Sequence, residues 1–438
     1  MLTRARHTSR VAAVTLKRRS RRTFSSLKVR NYRLYFIGQT ISLCGTWMQS
    51  LATAMLVLHL TRSGTALGLV MGLQFTPVLL LAPYGGVLAD RFSKRRLLAI
   101  TQSAAGLLAL TLGVLVATGS IRLWMVYLLA FGLGIVNAID NPVRQTFVHE
   151  LVGRKQLANA ITLNSIIVNS SRVVGPAIAG VIIAQLGLAP CFLINGLSFA
   201  AVLACLAMMR GSELARSPRV RAAKGQLREG FGYAWKTPII RDVLIMMALV
   251  GTLSYEFSVS LPLLAHVTFP GTEAAVARNV ALLMSVMGVG AVVGGLVAAG
   301  KGGRNMRSLT IGAFGFGSAM VLVSVSPTLA WAAVAMGVVG YFSVSFTAHT
   351  NTILQTVSSP KMRGRVMALW AMAFIGTTVI GAPVIGWVGQ QAGPRWSLIV
   401  GAVAAIAAGG VGLISSRTHA YEVFELPAGA PAKAVETA

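Results

Sequence analysis

The stretch GGVLADRFSKRR runs from Gly85 to Arg96 and carries the first acidic residue of the chain, Asp90. An apolar run leads into it, and Arg91, Lys94, Arg95 and Arg96 follow it closely. Why a chain avoids acids for so long and then sets one against a cluster of cations is answered by what surrounds the stretch.

Of the 438 residues, 55% are hydrophobic and 11% charged, and the mean hydropathy is +0.71. A soluble domain carries roughly a quarter charged residues. Too little polar surface remains to cover a water-soluble globule of this size, so the composition points to an integral membrane protein. The net charge of +28 lies in short gaps between apolar runs and in an N-terminal arm. It does not form one face of a soluble domain, which argues against a nucleic-acid partner. Cys44, Cys191 and Cys205 lie within apolar runs at no metal-site spacing and read as small buried hydrophobes.

A helix needs about 20 apolar residues to cross a bilayer, and about twelve such runs can be read. They are Leu34–Leu60, Ala66–Ala89, Leu97–Thr118, Leu123–Phe147, Ala160–Leu186 and Pro190–Met209, then Val243–His266, Val276–Gly300, Leu309–Val325, Leu329–Ala348, Val366–Gln390 and Trp396–Ser415. Cations load every second gap: the arm, Arg91–Arg96, Arg154 with Lys155, Arg210–Arg241, Lys301 to Arg307, and Lys361 to Arg365. The other gaps hold only Arg62, Arg122, Arg278 and Arg395. The positive-inside rule predicts this alternation for an even number of spans with both termini cytoplasmic.

The expected organisation is a basic arm over residues 1–33, six helices over 34–209, a cytoplasmic linker over 210–242, six helices over 243–415 and a tail over 416–438. The arm is Arg- and Ser-rich, and its apolar piece Val11–Leu16 is too short for a secretory signal. Organellar transit peptides share that composition; the plainer reading is an arm that touches anionic lipid head groups. Within the linker, Leu227, Phe231 and Trp235 are spaced four apart, which predicts an amphipathic helix on the membrane surface with Arg228 and Lys236 reaching the head groups.

The two halves echo each other. Gly175, Gly180 and Gly187 precede Gly381, Gly386 and Gly393 by the same offset, since 381−175, 386−180 and 393−187 all equal 206. Thr146 and Thr352 share it, as do Lys155 and Lys361. With matched hydropathy and matched basic loops, this supports an internal duplication. A parallel six-plus-six repeat is the layout of one large class of secondary transporters.

The pattern Gly86-x3-Asp90-Arg91-x-x-Lys94-Arg95-Arg96, set between the second and third runs, resembles the signature loop of the major facilitator superfamily. Ser93 stands where the family usually has Gly, and the second-half counterpart GGLVAAGKGGR has Ala299 in place of the Asp. The stretches DNPVRQTFVHELVGRKQLANAITLNS, SRVVGPAIAG and QLREGFGYAWKTPIIRDVL are similar to the branch that contains siderophore exporters and macrolide efflux proteins. The resemblance implies an all-α fold of twelve transmembrane helices in two halves, no enzymatic activity, no cofactor and no metal. It also implies a small amphiphilic substrate, of drug or siderophore type, exported from the bacterial cytoplasm by proton antiport with alternating access.

Site residues follow from the resemblance and from the cost of charge in hydrocarbon, about 2.5–3.5 kcal/mol on insertion scales. Gly86, Asp90, Arg91, Lys94 and Arg95 with Arg363 and Arg365 form an expected conformational latch, the acid near a helix N-terminus gaining roughly 0.3–1 kcal/mol from the dipole. The plainer alternative is a topology marker solvated by its own basic neighbours. Asp140 needs a partner: Arg144, one turn away, or Lys94, which the resemblance favours. Pro142 is expected to break or kink that helix. Arg172 lies about 12 residues into its run, near mid-depth. It is a functional candidate, or a structural tether to a carbonyl or carboxylate. Gly175, Pro176 and Gly180 form a helix-bend motif of the kind common in exporters of the superfamily. Glu256, about 14 residues into its run, is the first proton-coupling candidate and Asp140 the second; a carboxyl withdrawn from water favours its protonated form. An Arg172 in contact with Glu256 would oppose that, and a packing role for Glu256 is the alternative.

Gln39, Trp47, Gln49, Asn137, Tyr255 and His349 are candidates to line a substrate cavity, although such residues also serve helix packing. GVGAVVGG near Gly288 has no strand before it, and GKGGR near Lys301 lacks the Walker spacing, so neither is a nucleotide loop. Two other functions share the hydropathy pattern: proton-coupled nutrient uptake, and a non-transporting scaffold or sensor. The chain is expected to work as a monomer.

Overall fold

A computed structural model describes residues 25–214, 226–301 and 305–418. The expected arm before residue 25, the linker stretch 215–225 and the tail after 418 lie outside the described residues. Among the described residues every regular element is helical, and twelve helical spans are long and apolar enough to cross a membrane. The first six are α1 (Arg30–Thr61), α2 (Gly64–Arg91), α3 (Lys94–Ala117), α4 (Leu123–Gly153), α5 (Asn159–Leu186) and α6 (Ala189–Ala207). A short helix, α7 (Gln226–Lys236), precedes the seventh span, which is built from α8 (Pro238–Leu253) and α9 (Phe257–Thr268). Then come α10 (Glu273–Lys301), α11 (Met306–Ser324) and α12 (Leu329–Val357). The eleventh span joins α13 (Arg363–Ala371) to α14 (Thr378–Gln391) through one π turn, Met372–Gly376, and α15 (Pro394–Thr418) is the twelfth.

Local chemistry explains where helices start and stop. Ser63, Asn305 and Thr328 cap α2, α11 and α12, each side-chain oxygen accepting from a backbone N–H three residues on. Helix α4 does not break at Pro142, as expected above, but at Gly153, whose φ of 64° and ψ of −179° suit a residue without a Cβ. The duplicated glycines Gly187 and Gly393 follow α5 and α14 with φ of 81° and 101°, so two members of the repeat do the same work at the same place in each half.

The chain packs as two compact units. One holds α1–α6 with Phe257–Gly288 and Thr378–Ser397. Its core at one end gathers Tyr32, Tyr35, Leu98, Phe147, Leu151 and Leu163. Asn31 at the start of α1 closes on the chain after α6, donating to and accepting from the Arg210 backbone at 3.0 Å each way. Small residues bring backbones together in this unit, as in other membrane bundles. A methyl group on Gly68 of α2 would collide with the Ala382 carbonyl of α14, and one on Gly386 would collide with the Gly64 carbonyl.

The other unit holds α7, α8, Val289–Thr377 and the rest of α15 from Leu398. Here Asp242 at the start of α8 is tied to the end of α15 by the Ser415 hydroxyl, and it accepts from Arg241 Nε at 2.9 Å. The first span of each half is thus closed onto its last by a polar side chain near its start.

Candidate functional site

In the first unit the polar chemistry concentrates on α3 and α4. Asp140 is 1% exposed. One carboxylate oxygen accepts from Thr101 Oγ1 at 2.7 Å and Gln102 Nε2 at 2.8 Å. The other accepts from Arg144, Nε lying at 3.0 Å with Nη2 also in contact. A carboxylate so buried requires such compensation. Pro142 lacks the N–H that Ala138 O would otherwise accept. Gly85 of α2 packs against that carbonyl so closely that a methyl group there would collide with it.

At mid-span, the Arg172 guanidinium carbon lies 4.9 Å from the centre of the Trp47 ring, a cation–π contact between α5 and α1. Gly175 makes room for it: a Cβ there would stand 2.5 Å from Trp47 Cβ and 2.7 Å from the Cys44 carbonyl. Pro176 and Gly180 follow, Gly180 facing Ala281 of α10. The helix-bend motif is therefore also a packing surface. Gln49 accepts from Asn195 Nδ2 at 2.6 Å. Gln39 is buried and Asn137 half-buried.

The second unit holds an aromatic cluster. Tyr255 donates to the Ser343 carbonyl at 2.6 Å and packs against Phe316 and Phe374. Trp370 lies beside Phe374 and donates from Nε1 to Thr350 at 3.2 Å. Helical geometry lapses here in two places. The seventh span is interrupted at Ser254–Glu256, where Glu256 is 5% exposed. The eleventh takes its π turn at Met372–Gly376, where the Ala373 carbonyl accepts from Thr377 Oγ1 at 2.9 Å. Gly251 makes the close approach possible, since a Cβ there would collide with the Ala373 carbonyl. Irregular turns inside spans are tolerated where such partners re-satisfy the backbone, and π turns are frequent at functional sites. His349 Nδ1 lies 2.6 Å from the Ser345 carbonyl, which only accepts, so Nδ1 carries the proton.

Among the described residues, no cluster of three His, Cys, Asp or Glu could hold a metal ion. Twelve spans, close glycine contacts and intramembrane charges with partners describe a polytopic membrane fold. The family model of transmembrane secretion effectors, within the major facilitator superfamily, matches residues 21–434. The chain belongs to this family. Among curated proteins, the Staphyloferrin A transporter of Staphylococcus aureus is 27% identical over 267 residues, 60% of this chain and 66% of that protein, just under two thirds of its length. The Enterobactin exporter EntS of Escherichia coli O1:K1 is 25% identical over 391 residues, 87% of this chain and 89% of that one. Among solved structures, a bacterial homologue of the human lysosomal transporter Spinster, inward-facing and unoccupied, gives a TM-score of 0.72 at 16% identity over 89% of this chain and 96% of that one. A bacterial homologue of the iron transporter ferroportin, inward-facing, gives 0.66 at 16% over 88% and 98%. At these identities the structural likeness is one of fold. This protein is thus a multi-pass membrane transporter of small molecules, related to siderophore transporters.

The facilitator loop differs in detail from expectation. The side chain of Asp90 lies outside what the structure describes. Lys94 does not pair with Asp140: its ammonium donates to Glu150 Oε1 at 2.5 Å, near the end of α4. Loop and fourth span are joined, but through a carboxylate that the apolar windows passed over. Arg95 donates to the Ala207 carbonyl at 3.0 Å, and Arg91 is exposed. Gly86 has open space where a Cβ would stand, so the packing glycine of the stretch is Gly85. Ser93 has a φ of −63°, which needs no glycine. In the second unit, Arg365 donates to Glu229 Oε1 of α7 at 2.7 Å, and Arg363 is exposed. Sequence reasoning also missed a polar rim at the cation-poor end. There, Gln390 accepts from Ser63 Oγ at 2.6 Å and Thr65 N at 3.0 Å, and His59 pairs with Glu273.

Proposed function

We propose that this transporter exports small amphiphilic molecules, of siderophore or drug type, from the cytoplasm across the bacterial inner membrane by proton antiport. It works as a monomer by alternating access, with both termini cytoplasmic and with anionic head groups facing its cation-rich loops. The observation that carries the reading is Glu256, a 5% exposed acid at the interruption of the seventh span. A carboxyl in such a place takes up and releases a proton as its surroundings change from dry to wet. Asp140, which accepts from Arg144 and two neutral donors, is the second candidate. The resemblance over 87% of the chain to an enterobactin exporter supports outward transport of a siderophore-like cargo. Arg172 with Trp47, the Tyr255 cluster, Gln49, Asn137 and His349 supply cation, aromatic and polar groups of the kind that hold an amphiphile. The likeness of the Gly86–Arg96 loop to the superfamily's signature supports a conformational-latch role for Asp90, with Arg363 and Arg365 as the basic candidates.

Inverted vesicles test this. With enterobactin and a fluorescent amphiphile as cargoes, a proton gradient is expected to drive accumulation, and Glu256→Gln is expected to uncouple it while leaving cargo exchange intact. Wild-type pumping by Glu256→Gln removes Glu256 from the mechanism. Accumulation of both cargoes that ignores the gradient rules out proton antiport.

A further inference from the structure

Helix α7 is docked by one face only. Glu229 accepts from Arg365, Tyr233 Oη accepts from Ser359 N at 3.2 Å, and Gly230 lies so near Arg365 that a Cβ would stand 2.7 Å from its Cβ. These three residues span about 100° of the helix. The opposite stripe, at i, i+3 and i+7, is Arg228, Phe231 and Trp235. The two rings stack with centroids 5.7 Å apart, yet remain 57% and 58% exposed. Beside them runs a groove of about 200 Å³ lined by Phe231, Trp235, Leu244, Ile245, Ala248 and Leu369, with Arg241 at its edge. An apolar space of this order, above the ~150 Å³ that takes a small apolar guest, is large enough for part of a hydrocarbon chain. One cation, Arg241, lines it and is a third exposed, and α7 carries two more exposed cations, Arg228 on the ring stripe and Lys236 at its C-terminal end. Of the two acids nearby, Glu229 is taken by Arg365, and Asp242 by Ser415 and Arg241.

We propose that α7, α8 and α13 form a seat for one anionic phospholipid, its acyl chain in the apolar groove and its phosphate among Arg228, Lys236 and Arg241. Each part of the seat matches one part of that ligand. Aromatic rings at a membrane interface favour the glycerol level, with apolar body inward and polar atoms outward. An apolar groove with Arg241 in its lining and two exposed cations on the adjoining helix selects anionic over zwitterionic head groups, each Lys or Arg near the surface contributing about a fivefold gain in affinity. A lipid bound there touches α7, the start of α8 and α13 together, so it braces the first part of the seventh span against the first part of the eleventh. Both spans then run into the irregular turns described above.

Native mass spectrometry of the full chain, released from nanodiscs of equal phosphatidylglycerol and phosphatidylcholine, tests the seat. Wild type is expected to retain one phosphatidylglycerol in preference to phosphatidylcholine. Arg228→Gln with Lys236→Gln is expected to weaken retention about thirtyfold, the product of two cations. Ala248→Phe, which fills the groove and leaves every cation in place, is expected to abolish the single retained lipid. Equal retention of the two lipids by wild type overturns the proposal, as does wild-type retention by the charge variant. Should Ala248→Phe fail to fold, the charge variant decides alone, since both its positions are exposed and outside the helix packing.

Discussion

Asp140 is the residue whose environment is most fully accounted for, and it shows how a buried charge is made tolerable. Its two oxygens receive Thr101, Gln102 and the Nε and Nη2 groups of Arg144, whose side chain is itself 22% exposed. Replacing Asp140 with Ala leaves a mostly buried cation and two buried donors unmatched, a loss of about 3 kcal/mol. Asp140→Asn with Arg144→Gln removes both charges together and is expected to cost well under half of that. Thermal unfolding of the purified protein in detergent measures both. An Asp140→Ala protein as stable as wild type would mean that the pair is only a surface bridge. The need for a partner was legible in the sequence, because a lone acid in an apolar run must be compensated. The partner of Lys94 was not. Glu150 lies three residues beyond the apolar run that ends at Phe147, where a span reads as finished although the helix continues.

Helices show the same division between what composition reveals and what packing decides. Twelve runs were readable because bilayer thickness sets a length, and the observed spans overlap all of them. Neither the interruption of the seventh span nor the π turn of the eleventh was readable. The π turn lies inside an apolar stretch, packed against Gly251, and the polar residues Ser254 and Glu256 at the other site mark a charge in the span without fixing where the helix lapses. At Pro142 the helix continues without a break, and the Ala138 carbonyl left without its N–H partner is packed by Gly85. The contact between α2 and α14 depends on glycine at Gly68. Gly68→Val should force those backbones apart, because the group it meets is main chain and cannot swing away. A Ser63→Cys and Gln390→Cys pair reports this through its disulfide yield. The yield is expected to be high alone and to fall at least tenfold with Gly68→Val added. An unchanged yield would show that the helices accommodate the methyl groups and that the glycine contact is incidental.

At the scale of the molecule, the question is whether the compact unit that joins α1–α6 to α9 and α14 stays joined through a transport cycle. Its cation-poor rim is held by short-range polar contacts, Ser63 and Thr65 with Gln390 and His59 with Glu273. Exposed ion pairs and hydrogen bonds of this kind contribute about 1 kcal/mol or less each. Beneath them lies glycine-mediated backbone packing, which is either fully engaged or fully lost. Under the proposed alternating access, a rim so built closes tightly but at small net stability, as a gate that opens once per cycle requires. In that mechanism the first-half residue Ser63 and the second-half residue Gln390 must part each time cargo leaves on the cation-poor side. The Ser63→Cys and Gln390→Cys disulfide then becomes a lock. Oxidised vesicles should accumulate no cargo, and a thiol reductant should restore the rate to that of the reduced double variant. Cargo binding measured on the oxidised protein should persist, because the lock blocks release and not access from the cation-rich side. Wild-type transport by a fully oxidised protein would mean that this unit moves as one body, and release would have to be sought along a path that leaves α2 and α14 in contact.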